Sequence, residues 1–374
     1  MTCTEEEHVD TLAIRDDRLS LLDLGLFSSV EFEILRDSLS YAPVIRYRLS
    51  ERPTLLLLPL FELDQDNQLV YGAFLQEENF RGRHDALGIS ARFGGETVAD
   101  LSYAAPWVQG RRLRFSGAVF VSERKKSTER ILDRRGGVAL SIAPGAARGE
   151  GVRLSPGWER VETEPLSRDD PDPPRRERDD HRWFEVGAFR DSRLYRARPT
   201  GGVRTAAAVT RHGGPLGGDT DFWRAQLDLL GVLRTGEKSG LTAATRATWS
   251  EGRVPLYLRL ALGGSSTLRG YPSGRFGGDS RWIAWLEHQF PLLAPRRFTL
   301  PGKRGQVDVT VDGAIFADFG AIWNGADLAR GRVRGHGGGG VGLRVVLPFV
   351  QVLRLDLATD GETVRFDGTA GIRL

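Results

Sequence analysis

Between Val307 and Trp323 every odd-numbered residue is apolar or glycine: Val307, Val309, Val311, Gly313, Ile315, Ala317, Phe319, Ala321 and Trp323. The even positions include Asp308, Thr310, Asp312 and Asp318. Successive side chains of a β-strand point to opposite faces, so this run reads as one strand with an apolar and a charged face. Its length is the constraint. A strand in a soluble protein averages about five or six residues, whereas a tilted crossing of a bilayer takes about nine to eleven. The pattern returns in Val364, Phe366, Gly368, Ala370, Ile372 and Leu374, set against Arg365, Asp367, Thr369, Gly371 and Arg373. Leu353, Leu355 and Leu357 alternate with Arg354 and Asp356. Trp223, Ala225, Leu227, Leu229 and Leu233 alternate with Arg224, Gln226 and Asp228. Leu113, Phe115, Val119 and Val121 do so with Arg112, Arg114 and Ser116. A small dry core does not bury such charges unpaired, but a wide, wet lumen holds them. An all-β transmembrane barrel is therefore favoured over a soluble sandwich.

Composition closes off the other classes. No stretch approaches the roughly eighteen apolar residues of a membrane-spanning helix, a test that alternating barrel strands evade. The charges are finely mixed and the net charge is only +3, which gives nucleic acid no footing. A lone cysteine, Cys3, excludes an internal disulfide and a zinc cluster. His8, His84, His181, His212, His288 and His336 show no metal or Ser/His/Asp spacing, so no catalytic residue, metal or cofactor is expected. Ser265 and Ser266 carry no sign of a nucleophile's role. The acidic start Met-Thr-Cys-Thr-Glu-Glu-Glu lacks the apolar core of a signal peptide. A barrel of this type needs such a signal, so the expectation is a fragment or a mis-started chain whose leader lies upstream.

Sixteen strands are expected near 54–63, 69–77, 86–94, 97–105, 111–122, 136–143, 151–162, 181–190, 202–212, 221–234, 240–251, 281–290, 306–323, 338–347, 350–359 and 364–374, an even number as such barrels require. The long charged loops follow the fifth, seventh and eleventh strands and so share one end, while short links such as Pro348-Phe349 fall at the other. The run Arg168 to Arg182 reads as a solvated outer loop. Residues 1–53 read as a separate α+β segment and 54–374 as the barrel. The N-terminal segment has a short helix from Asp17 to Leu24, capped by Gly25, then strands Val30–Ile34 and Val44–Leu49. It closes on Glu51-Arg52-Pro53.

The stretch Leu24-Gly-Leu-Phe-Ser-Ser-Val30, followed by Leu49-Ser-Glu-Arg-Pro53, resembles the end of a POTRA domain, a periplasmic module that receives unfolded polypeptide. Leu262-Gly-Gly-Ser-Ser-Thr-Leu-Arg-Gly-Tyr271 lies after the eleventh strand. It is followed in order by Gly277-Gly-Asp279, Leu286-Glu-His-Gln-Phe-Pro291 and Ile315-Phe-Ala-Asp-Phe-Gly320. With these pieces in register the chain resembles the BamA/TamA superfamily of outer-membrane assembly and translocation proteins. The resemblance implies that the loop carrying Leu268, Arg269, Gly270 and Tyr271 folds into the lumen, with Arg269 meeting Glu287 and Asp318. Parity gives an independent reading: Asp318 shares its face with Thr310 and Asp312, and Glu287 with Arg281 and Gln289, so both carboxylates point inward. Gly263, Gly264 and Gly270 would let the loop turn and pass close to the wall. The alternative leaves Glu287 and Asp318 as ordinary lumen charges surrounded by water.

The resemblance further implies insertion or translocation of unfolded outer-membrane or secreted polypeptides, in the outer membrane, with periplasmic or inner-membrane accessory partners. The first strand from Thr54 and the last strand, weakened by Gly368 and Gly371, would form a lateral seam open to a client strand. A two-partner-secretion-type channel or a passive pore is the alternative. The chain departs from the family in ending Ile372-Arg-Leu374 instead of on an aromatic residue, with Gly368 and Gly371 out of step with the usual folding signal.

Overall fold

The computed structural model describes residues 11–22, 24, 26–36, 43–51, 53–63, 69–108, 113–144, 149–167, 172–193, 201–236, 238–299, 306–347 and 350–370. Gly25, Arg52, the Pro348-Phe349 link, Gly371 and the chain's last three residues lie outside them. Sixteen antiparallel strands close into a barrel. In chain order they are β1 (Leu55–Leu63), β2 (Leu69–Phe80), β3 (Asp85–Gly94), β4 (Glu96–Ala105), β5 (Leu113–Lys126), β6 (Ile131–Pro144), β7 (Glu150–Pro165) and β8 (Glu177–Asp191). The second half runs β9 (Gly202–Gly213), β10 (Asp221–Arg234), β11 (Gly240–Arg253), β12 (Ser280–Pro291, resuming at Arg296–Thr299), β13 (Gln306–Trp323), β14 (Gly335–Leu347), β15 (Val350–Thr359) and β16 (Val364–Ala370).

β12 is one wall strand with a break. Its two pieces both pair with β13, Pro291 opposite Asp312 and Arg296 opposite Val309, so two extra residues sit on the β12 side. Leu292 and Leu293 both donate their N–H to the Val311 carbonyl, at 3.0 and 3.1 Å, which is how a bulge absorbs surplus chain. Pro291 and Pro295 lack the N–H that an unbroken ladder would require.

The alternation decides the two faces. On β13, Ile315 and Phe319 are exposed outward, whereas Asp312, Ala314, Phe316 and Asp318 are buried toward the lumen. Leu57, Val121, Leu229, Leu286, Val341 and Phe366 continue the exposed apolar band around the barrel. An exposed apolar belt of this extent is stable only against lipid. Phe319→Arg should therefore destabilise the barrel by about 2–4 kcal/mol near the membrane midplane, while Thr310→Arg on the inner face should be far milder. Urea midpoints of the two variants refolded in lipid vesicles test this, and equal shifts would mean that the faces are misassigned.

β5 to β8 are longer than their sequence pattern suggested, and the fifth and sixth strands are joined by a four-residue turn, 127–130, where a long loop was expected. The reason lies in the outward residues beyond Trp158. Glu123, Arg134, Glu162, Glu164 and Arg178 replace the apolar ones and pair across strands, with Arg134 at 2.6 Å from Glu123 and Arg178 at 3.0 Å from Glu162. The hydrogen-bond ladder runs on out of the membrane while only its outer face turns charged. Charges that mark a loop in a soluble chain here mark the edge of the bilayer.

Ahead of the barrel lie α1 (Thr11–Leu22) and a hairpin, Phe27–Arg36 paired with Pro43–Glu51. The helix starts earlier than Asp17 and both strands are longer than the sequence reading had them. Ile14 and Val30 are buried, and Arg18 Nε donates to the Val30 carbonyl at 2.7 Å. His84 Nε2 lies 2.9 Å from the Leu24 carbonyl, which ties this segment to the β2–β3 turn. Links that follow even-numbered strands all lie at one end, so the segment touches the end opposite the loop after β11. At the β1–β16 junction the described register is Phe61 opposite Ala370, Glu62 opposite Thr369 and Leu63 opposite Gly368. Thr54 precedes β1, and its carbonyl accepts from Glu78 N at 2.9 Å on the β2 side.

Candidate functional site in the lumen

The loop between β11 and β12 turns back on itself before it reaches the wall. Leu260–Leu262 pairs with Phe276–Gly278 as a short hairpin. Beyond it, Gly263 and Gly264 take φ of +120° and +88°, left-handed values that a side chain would resist. Thr267 Oγ1 fixes that turn by accepting from Gly263 N at 2.9 Å and donating to its carbonyl at 2.7 Å. Leu262, Leu268 and Ile283 are fully buried together, with Tyr271, Phe276, Trp285 and Ile322 around them. This apolar root pins the loop to β12 and β13 and carries Arg269 to the inner wall.

Arg269 is 3 % exposed, and both its charge and its backbone are engaged. Nε reaches Asp318 Oδ2 at 2.6 Å and Nη2 reaches Oδ1 at 2.5 Å, the bidentate fork that a guanidinium makes with a carboxylate. The Arg269 N–H donates to the same Asp318 Oδ2 at 3.0 Å. Nη1 reaches Glu287 Oε2 at 2.7 Å. The guanidinium also lies 3.4 Å above the Phe316 ring, a cation–π arrangement strengthened by desolvation. Gly270 (φ +93°) follows, and a Cβ there would stand 2.7 Å from the Thr359 carbonyl. Tyr271 OH donates to the Gly337 carbonyl at 3.3 Å, with its ring edge-on to His336. Leu268, Arg269, Gly270 and Tyr271 thus span from β12 to β15. Gly368, on β16, stands apart from this contact.

The sequence reading missed half of the cluster. Arg344 on β14 binds Glu287 with Nε and Nη2, at 3.1 and 3.0 Å, and Asp356 on β15 with Nη1 at 2.6 Å. Arg354 reaches Asp356 at 2.6 Å, and Arg269 Nη1 lies 3.7 Å from it. Among these contacts three arginines and three carboxylates are joined in one network. Arg344 and Asp356 are each 1 % exposed, so these are paired and dry, unlike lone lumen charges in water. Parity already put Arg354 and Asp356 on the inner face; which wall charges meet across strands depends on register, which alternation does not fix. Among the described residues no His, Cys, Asp and Glu group is arranged to hold a metal. The arrangement joins the loop to the inner wall through charge-assisted hydrogen bonds.

A closed sixteen-strand barrel with an apolar belt and a loop fastened inside its lumen is a transmembrane barrel of the outer-membrane type. Residues 79–374 match the Omp85 superfamily domain, and the chain belongs to that superfamily. Its members form outer-membrane β-barrels and are non-enzymatic transporters or assembly factors. Among solved structures, BamA from Haemophilus ducreyi lacking POTRA domains 1–3 superposes with a TM-score of 0.66 at 17 % identity, covering 100 % of this chain and 80 % of that one. CdiB from Escherichia coli gives 0.62 at 16 % identity, covering 99 % and 72 %. CdiB from Acinetobacter baumannii gives 0.58 at 14 %, covering 93 % and 66 %. These are likenesses of fold. No curated protein sequence matches the chain.

Proposed function

We propose that the chain inserts or translocates polypeptides at the outer membrane, with the Arg-Gly-Tyr loop as the element that keeps its lumen closed at rest. The observation that carries this reading is the Arg269 fastening: a loop bound by Asp318 and Glu287 inside the barrel obstructs a permanently open pore. A client would instead engage the β1–β16 seam. Pro59 in β1 has no N–H to give a neighbour, and Gly368 in β16 weakens pairing there, as suits a junction that opens. Residues 1–53 would be part of a POTRA-like periplasmic segment, its helix and hairpin receiving the unfolded client near the end opposite the loop. The partners are then client polypeptides, the bilayer and accessory proteins of the periplasm or inner membrane.

Proteoliposomes holding the full chain should accelerate insertion of an unfolded barrel protein, or carry an unfolded polypeptide across, relative to empty vesicles. The first outcome assigns assembly and the second a two-partner-secretion-type channel. Flux of small solutes with neither activity would replace both with a passive pore.

A further inference from the structure

The loop also meets a different wall. Before its hairpin it forms one short turn, Leu256–Leu258, whose Tyr257 is 1 % exposed. The Tyr257 ring packs on Ile131 of β6 and Val161 of β7. Its hydroxyl donates to Asp179 Oδ2 of β8 at 2.7 Å. Burial and the Asp179 carboxylate push the phenol above its ordinary pKa, so it keeps the proton it donates. Its carbonyl accepts from two cations, Lys126 Nζ of β5 at 2.6 Å and Arg135 Nη2 of β6. The next carbonyl, of Leu258, accepts from Arg224 of β10 at 2.8 Å.

The wall groups at this site are themselves held in place. Arg135 is forked onto Asp133, with Nε 2.9 Å from Oδ1 and Nη2 2.5 Å from Oδ2, and it reaches Glu159 at 3.3 Å. Glu159 is hydrogen-bonded to His181 at 2.9 Å, and His181 to His212 at 2.9 Å. His212 in turn stacks on Phe222 with ring centroids 4.1 Å apart. A chain of buried polar contacts over β6 to β9 therefore sets the position of Arg135, which donates to the Tyr257 carbonyl.

In a ring of sixteen strands, β6 and β14 are eight apart and face each other across the lumen. Tyr257 is held by β5 to β8, and Arg269 by β12 to β15. We propose that Tyr257 is the second fastening of the loop, so that the loop is a strap stretched across the lumen and closed only while both ends are held. The Arg269 fork supplies one end; Tyr257, Lys126, Arg135 and Asp179 supply the other. Neither end alone blocks the channel, because a strap freed at one end can swing to the opposite wall.

The test reads ionic current through the full chain refolded into planar bilayers, with heat-modifiable gel migration confirming a folded barrel in each variant. Tyr257→Phe keeps the ring and removes only the bond to the Asp179 carboxylate. It should raise open-state occupancy by about tenfold or more, tenfold being the lower end of the shift expected for one hydrogen bond to a charged partner. Tyr257→Ala should raise it further. Combined with Arg269→Ala, it should conduct no more than the more open single variant, since a strap already free has nothing left to release. Wild-type current in folded Tyr257→Phe would overturn the proposal, whether or not Tyr257→Ala folds. So would effects of Tyr257→Ala and Arg269→Ala that multiply, which would mean two separate gates.

Discussion

Arg269→Ala is expected to free the loop and lower the stability of the refolded barrel by about 3–5 kcal/mol, the usual cost of removing one partner of a buried ion pair, less whatever lumen water recovers. The network shows where that cost falls. Glu287 keeps Arg344, and Asp356 keeps Arg344 and Arg354, but Asp318 is bonded to Arg269 through both of its oxygens. Asp318, at 6 % exposure, is thus the carboxylate left without its counter-charge. Adding Asp318→Asn to Arg269→Ala should recover a large part of the loss, because the stranded charge is gone even though the loop is still free. Arg269→Lys should fall between wild type and Arg269→Ala. An ammonium can sit near the acids but cannot fork onto Asp318, reach Glu287 and lie flat on Phe316 at once. Urea midpoints at unchanged slope, with trypsin cleavage of the loop at half-buried Arg259, check all three variants. An unchanged midpoint with a protected loop in Arg269→Ala would show that the apolar root alone holds the loop.

The wall was legible because lipid imposes a rule that sequence displays directly: each crossing strand must alternate, and Val307 to Trp323 does so without a break. Strand ends were less legible. Trp158 marks the edge of the apolar belt on β7, yet the ladder continues through Glu162 and Glu164, because hydrogen bonding between strands does not depend on what bathes their outer face. Parity could place Glu287, Asp318, Arg354 and Asp356 on the inner face, one strand at a time. It could not bring Arg344 to Glu287, since that contact spans β12 and β14 and depends on the register of both with β13. Tyr257 was the hardest to see. Its significance comes from Asp179, Lys126 and Arg135, each between 78 and 131 residues away in sequence. A lone tyrosine after a Pro in a loop carries no local pattern at all.

Gly338→Ala should displace the loop with no change of charge. Gly338 lies opposite Asp318 in the β13–β14 register, on the inner face where Arg269 docks. A Cβ there would stand 2.2 Å from the Arg269 carbonyl oxygen and 3.2 Å from that of Thr359. Both are backbone atoms, so no rotamer change makes room, and the docked loop must move as a body. The barrel wall has only the Thr359 contact to relieve by a few tenths of an ångström, and alanine is a better strand residue than glycine. The neighbouring Gly337 supplies the control. A Cβ at Gly337 would meet the Phe319 ring at 3.7 Å and the Asp318 carbonyl at 3.8 Å, ordinary contact on the outward side. Gly338→Ala should therefore open half-buried Arg259 to trypsin and raise bilayer conductance, while Gly337→Ala leaves both at wild-type levels. The loss of docking should approach that of Arg269→Ala, well beyond the roughly 1–3 kcal/mol typical of overpacking, because the lock and the apolar root come away together. A Gly338→Ala barrel with a protected loop and wild-type conductance would mean that the loop does not rest against β14, and that the contact between the Arg-Gly-Tyr turn and the inner wall lies elsewhere.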